Sequence, residues 1–104
     1  MEQAPSPSLS PSWPPAADAI LRKALDTWGE FEQEQMAFGE CGEFVALAGR
    51  KVQGRMTAEA MVDEIADVTI MMRQMAHLYG LGLVHERIQY KLNRLTAKLE
   101  RNQP

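Results

Sequence analysis

The sequence predicts an all-α fold in which an antiparallel helical hairpin builds a four-helix bundle by dimerisation. From Ala16 onward, apolar residues recur at spacings of three and four, and no segment shows the alternation of a β-strand. The glycine-containing segments "QGRMT" and "YGLG" divide this pattern, because glycine commonly ends a helix. Residues 16–104 form a domain with a thin core, so association into a homodimer or homotetramer would increase the buried apolar surface.

Four helices are predicted in chain order. The first covers residues 16–28 and bends at "WGE" into the second, which covers residues 30–52. The third covers residues 57–79 and begins after the N-cap Thr57, and the fourth covers residues 83–101. The third and fourth helices each carry a long apolar stripe at helical spacing, which predicts that both face a core.

The members of these stripes are as follows. On the third helix they are Met61, Ile65, Val68, Met72 and Met75. On the fourth helix they are Ile88, Leu92, Leu95 and Leu99. A basic stripe runs beside the latter and consists of Arg87, Lys91, Arg94, Lys98 and Arg101.

Residues 1–15 are predicted to form a disordered tail, because they hold five of the six prolines and four serines. They lack the basic start and apolar run of a signal peptide or membrane anchor, and no stretch of the chain is apolar enough to span a membrane. The net charge of −3 disfavours nucleic acid as a partner. A single cysteine, Cys41, suits a reducing cytoplasm.

Two pairs of acidic residues are predicted to face each other across the hairpin. Glu40 and Glu43 lie three residues apart on one face of the second helix, and Glu64 and Asp67 do so on the third. If the hairpin turns about residues 53–54, Glu43 lies level with Glu64, and Glu40 lies level with Asp67. The two layers are then about 4.5 Å apart along the helix axis.

Four carboxylates at this spacing repel one another unless a cation neutralises them. A set of oxygen ligands favours Mg²⁺ or Mn²⁺ over zinc. The Glu-x-x-His motif of a ferritin-like di-iron site is absent from the sequence. The alternative is four solvated carboxylates without a metal, since acidic residues mostly lie on the surface.

At these positions the chain resembles the MazG-like, all-α nucleoside triphosphate pyrophosphohydrolases, whose motif is E-E-x-x-E, a spacer, and E-x-x-D. Here "GECGE" supplies Glu40 and Glu43, twenty residues follow, and "EIAD" supplies Glu64 and Asp67. The segments "TWGEFEQEQMAFGECGEF", "MVDEIADVTIMMRQMAHLYGL" and "YKLNRL" are also similar, so the resemblance covers about residues 25–95. The chain departs from the motif at its first glutamate, where it has Gly39.

The resemblance implies hydrolysis of a nucleoside triphosphate between its α and β phosphates, which gives NMP or dNMP and pyrophosphate. It implies that the four carboxylates ligate Mg²⁺ or Mn²⁺ and that Glu40 or Glu43 is the catalytic base. It also implies that Lys91 and Arg94 bind the phosphates of the substrate.

Two functions of other classes compete with this enzyme. One is a non-catalytic helical dimer or regulatory module, which Gly39 favours; the other is a nucleotide-binding sensor without turnover. The remaining acidic quartet and the basic fourth helix favour the enzyme.

Trp28 is expected in the core rather than stacked on a base. Gly39 and Gly42 either leave room for bound phosphates or allow a neighbouring helix to approach closely.

Overall fold

The computed structural model describes residues 13–102, which form four α-helices and no β-strand. They are α1 (Ala17–Trp28), α2 (Glu30–Val52), α3 (Ala58–Tyr79) and α4 (Leu81–Glu100). The all-α prediction is therefore confirmed for this part of the chain. Three of the predicted helices agree with the observed bounds to within one residue at each end, and the fourth begins two residues earlier than expected.

The helix boundaries follow from local chemistry. Gly29 separates α1 from α2 with a φ of 94°, and Gly80 separates α3 from α4 with a φ of 121°. Both values lie in the left-handed region that favours glycine. The hydroxyl of Thr57 accepts a hydrogen bond from the backbone N–H of Ala60 at 3.1 Å, so it caps α3 as predicted.

Helices α2 and α3 pack against each other in antiparallel directions. Near one end of the pair, the hydroxyl of Tyr79 donates a hydrogen bond to the carboxylate of Glu34. Further along α2, Glu40 and Glu43 approach Glu64. Rising numbers on α2 therefore meet falling numbers on α3, which is the antiparallel hairpin that the sequence predicted.

The hydrophobic core is small and comes from three helices. Its members are Ala17, Leu21 and Leu25 of α1, Ala37 and Leu47 of α2, and Met75 and Ala76 of α3. Within a single chain the predicted core stripe of α3 is largely uncovered: only Met75 among its members is buried, and Ile65 and Met72 are exposed.

Helix α4 has no buried residue. It contacts α3 but neither α1 nor α2, so the helices described do not close into a four-helix bundle within one chain. All four members of its apolar stripe are exposed. Nothing in the described part of the chain covers this stripe, and the predicted bundle by dimerisation stays a prediction.

The predicted tail, residues 1–15, lies mostly outside the described residues. Its last three residues are described, and the indole of Trp13 lies 5.3 Å from the guanidinium carbon of Arg73. Trp13 also lines an apolar cleft with Ile20 and Ile70. The end of this segment therefore contacts α1 and α3. In the range 13–102, none of the helices combines the length and apolar character that crossing a membrane requires.

Candidate metal centre

The acidic pairs of α2 and α3 come together as their spacing predicted. One carboxylate oxygen from each of Glu40, Glu43 and Glu64 lies within 4.8 Å of the other two. Residues three apart share a helix face, and the antiparallel packing of α2 on α3 brings the two faces level. We call Glu40, Glu43, Glu64 and Asp67 the acidic cluster.

A second trio overlaps with the first. Oxygens of Asp63, Glu64 and Asp67 also lie within 4.8 Å of one another, so Glu64 belongs to both groups. The sequence interpretation missed Asp63. The signal was available, because Asp63 precedes Glu64 directly and lies four residues before Asp67 on the same helix.

Two oxygens of the acidic cluster are buried without a partner. Oε2 of Glu40 and Oε1 of Glu64 are shielded from solvent and have no hydrogen-bond partner among the described residues. A buried polar atom without a hydrogen bond is uncommon in folded proteins and lowers stability. This observation distinguishes the cluster from ordinary solvated glutamates, which keep their oxygens in water.

The pKa values of both carboxyls, Glu40 and Glu64, are raised in this environment. Burial, followed by the negative charges of Glu43, Asp67 and Glu64, raises the pKa of Glu40 above its ordinary value. Burial also raises the pKa of Glu64, with Asp67 and Glu43 as the next causes and Arg50 opposing them. A bound cation would reverse these effects, because it favours the ionised form of every carboxylate around it.

The donor set fits a hard divalent cation. Carboxylate oxygens are the ligands that Mg²⁺ prefers, with Mg–O distances of about 2.0–2.2 Å. Octahedral ligands of Mg²⁺ are therefore about 4.2 Å apart when opposite and about 3 Å apart when adjacent, so these oxygens, which lie within 4.8 Å of one another, would move closer around a bound ion. Acidic groups at a protein surface are common without a metal, and it is the buried, unpartnered oxygens that favour a metal here.

The predicted phosphate ligands lie on α4, away from the contacts of the acidic cluster. Lys91 and Arg94 line a groove of about 280 Å³ together with Leu95 and Lys98. This groove includes none of the four carboxylates, and the cation that acts on Glu64 is Arg50 of α2. The structure thus brings the acidic residues together and places Lys91 and Arg94 in a groove that these carboxylates do not line.

Trp28 and two glycines of α2 have surroundings more open than a place in the core or close helix packing would give. Trp28 is 64% exposed, so its expected place in the core was wrong; it lines an open groove with Glu32, Gln33 and Met36. A Cβ added at Gly39 or Gly42 would meet no atom within 4 Å. Close packing of another helix within residues 13–102 is therefore not the reason for either glycine.

Comparison with known proteins gives no match, whether with family models, curated proteins or solved structures. The resemblance to the MazG-like pyrophosphohydrolases thus depends on the motif residues of this sequence alone.

Proposed function

We propose that this protein is a Mg²⁺- or Mn²⁺-dependent nucleoside triphosphate pyrophosphohydrolase that cleaves between the α and β phosphates. The observation that supports a metal site best is the pair of buried, unpartnered oxygens on Glu40 and Glu64. The choice of reaction comes from the motif resemblance at Glu40, Glu43, Glu64 and Asp67. The cytoplasm is the proposed location, because the chain has a single cysteine and needs no disulfide.

The residues of the acidic cluster have two roles in this proposal. All four carboxylates hold the ion, with Glu64 central because it belongs to both oxygen trios. A bound Mg²⁺ would offset charge on the phosphate oxygens and lower the pKa of an attacking water. Glu40 or Glu43 accepts the proton of that water.

Lys91 and Arg94 are the proposed ligands of the substrate phosphates. Arginine binds phosphate through two parallel hydrogen bonds, and lysine acts as a point charge. The groove that they line does not include the acidic cluster of its own chain, and in this proposal a second copy brings them to a metal site.

Charge supports a homodimer or homotetramer of this kind. Residues 81–104 hold five basic and two acidic residues, whereas residues 1–80 hold six basic and twelve acidic ones. The two parts of the chain thus have net charges of opposite sign, and α4 has an exposed apolar stripe beside its basic one. A second copy would cover that stripe and place positive charge near the acidic cluster.

Mixing two inactive variants tests this arrangement. A Glu64→Gln chain lacks a metal ligand, and a chain with Lys91→Ala and Arg94→Ala lacks the phosphate ligands. If α4 acts on the site of a partner, mixed oligomers contain intact sites and recover activity. A stable monomer at micromolar concentration by light scattering would refute the assembly.

The activity itself is tested by pyrophosphate release from a panel of nucleoside triphosphates with Mg²⁺ or Mn²⁺. Glu64→Gln should lower the rate at least about 100-fold, because loss of a direct ligand exceeds the effect of an outer-shell change. Glu59→Gln is the matched control, since Glu59 is an exposed carboxylate on the same helix outside the cluster. Equal rates for the two variants would refute the proposed site.

A non-catalytic helical dimer or nucleotide-binding regulatory module is the second candidate, and Gly39 is the observation that favours it. The motif has a glutamate there, and this chain offers no replacement at that position. Calorimetric titration with a non-hydrolysable triphosphate and Mg²⁺ separates the two functions. Binding without turnover of any hydrolysable triphosphate indicates the module.

A further inference from the structure

Arg73 connects three helices and the segment before α1 through one guanidinium group. Its Nε and Nη2 donate hydrogen bonds to the two carboxylate oxygens of Asp18, each at 2.9 Å. Its Nη1 lies 3.1 Å from Nε2 of His85 at the start of α4, and Trp13 stacks against the group. Nε2 of His77 lies 2.8 Å from Oδ1 of the same Asp18. We call these five residues the Arg73 cluster.

The contact with His85 matters because α4 has few other attachments. Helix α4 has no buried residue and contacts α3 alone among the described helices. Gly80, the single residue between the two helices, has a φ of 121°, and the side chain of Leu83 packs beside it. His85 lies one turn further along α4, so its hydrogen bond with Arg73 is a polar contact between α4 and α3 close to this junction.

The chemistry of this hydrogen bond makes it dependent on pH. A guanidinium only donates, so Nε2 of His85 accepts from Arg73 and must be unprotonated. When the imidazole takes up a proton, Nε2 becomes a donor, and two positive groups face each other at this distance. Histidine is the side chain that commonly changes charge between pH 5 and 8.

The other charged groups of this region respond differently to acid. Nε2–H of His77 can donate to Asp18 in both charge states, and protonation strengthens that contact. Arg22 of α1 donates to the backbone carbonyl of His77 at 3.1 Å, and this hydrogen bond needs no proton from a histidine ring. The contacts between α1 and α3 therefore survive acidification, whereas the contact with α4 does not.

We propose that His85 is a pH-sensitive contact that holds α4 against α3 when neutral and releases it when protonated. The acidic cluster lies on α2 and the earlier part of α3, so this proposal and the proposed enzyme can fail independently. Acidification would change the position of the basic stripe without unfolding the other three helices.

Hydrogen exchange followed by NMR on the full chain tests this contact. Between pH 8 and pH 5, the protection factors of amides in the first turns of α4 should fall about 2- to 10-fold, the range expected for loss of one hydrogen bond. The fall should follow the titration of the His85 imidazole signals, and the protection of α1 should not change. Unchanged protection of α4 across this range would overturn the proposal.

Three variants identify the group responsible. In His85→Gln the amide oxygen can still accept from Arg73 but does not titrate, so α4 should keep its protection at pH 5. In His85→Ala the protection should be low at both pH values. His77→Gln is the control and should keep the pH dependence. If His85→Gln lost protection at pH 5 as the wild type does, His85 would not be the sensor.

Discussion

Replacing Gly39 and Gly42 by alanine should stabilise this protein. Both glycines lie in the middle of α2, and neither has a φ in the left-handed region. A Cβ at either position meets no atom within 4 Å, so the methyl group adds no clash. Glycine inside a helix costs about 1 kcal/mol relative to alanine. The double variant should therefore gain about 2 kcal/mol in free energy of unfolding, if the two effects add.

Urea denaturation and calorimetry measure this gain. For a domain of this size, 1 kcal/mol corresponds to about 4–8 °C in Tm. Gly54→Ala is the control of opposite sign, because Gly54 has a φ of 71° and alanine is strained there. A loss of stability in Gly39→Ala or Gly42→Ala would refute the reasoning, since the methyl group would then meet an atom that residues 13–102 do not place there.

The same variants test why α2 keeps its glycines. If they leave room for bound phosphates, the alanine variants should be more stable but slower in pyrophosphate release. If they allow a second copy to approach closely, the alanine variants should form weaker oligomers, which dissociate at a higher protein concentration than the wild type does. A gain in stability with no change in turnover or association would rule out both explanations.

Four further predictions concern the core, two charged residues and the N-terminal segment. Leu25→Ala should lower the free energy of unfolding by about 2–5 kcal/mol in urea, because Leu25 is only 2% exposed in a small core. Without metal, the free energy of unfolding should rise as the pH falls from neutral towards 4.5, the ordinary pKa of glutamate. The reason is that the fold raises the pKa of Glu64, so the folded state binds protons more readily than the unfolded state. Glu64→Gln should flatten this pH dependence in pH-resolved melts and raise the metal-free stability at pH 7. Asp18→Asn should lower the free energy of unfolding. Arg73 and then His77 hold the pKa of Asp18 well below its ordinary 3.8, so the ionised carboxylate stabilises the fold above that pH and this stabilisation is lost as the pH falls further. In pH-resolved melts the variant should lack this loss. Removal of residues 1–12 should leave Tm unchanged, whereas Trp13→Ala should lower it, because Trp13 contacts Arg73.

Several features of the fold could be predicted from local sequence signals. The glycines at 29, 54 and 80 all have positive φ values and lie at helix ends, where the pattern had placed the breaks. Thr57 is the N-cap expected from its position. These features depend on backbone sterics and on hydrogen bonds within one turn, which a short segment fixes by itself. The sequence also predicted that Glu43 and Glu64 lie at the same level of the hairpin, because a short turn fixes the alignment of the two helices that it joins.

Other features depended on which surfaces meet, and only the tertiary structure decided them. An apolar stripe on α3 or α4 predicts that a surface should be covered, but it does not say by what. Among the described helices α4 contacts α3 alone, and its stripe is exposed. Trp28, at the end of α1, is exposed as well. The Arg73 cluster joins residues more than fifty positions apart and leaves no periodic signal. The burial of single oxygens on Glu40 and Glu64 likewise depends on the packing of two helices. The sequence by itself determined the helices and the facing carboxylates, because neighbouring residues set them; the tertiary structure decided burial and charge environment, because distant residues set those.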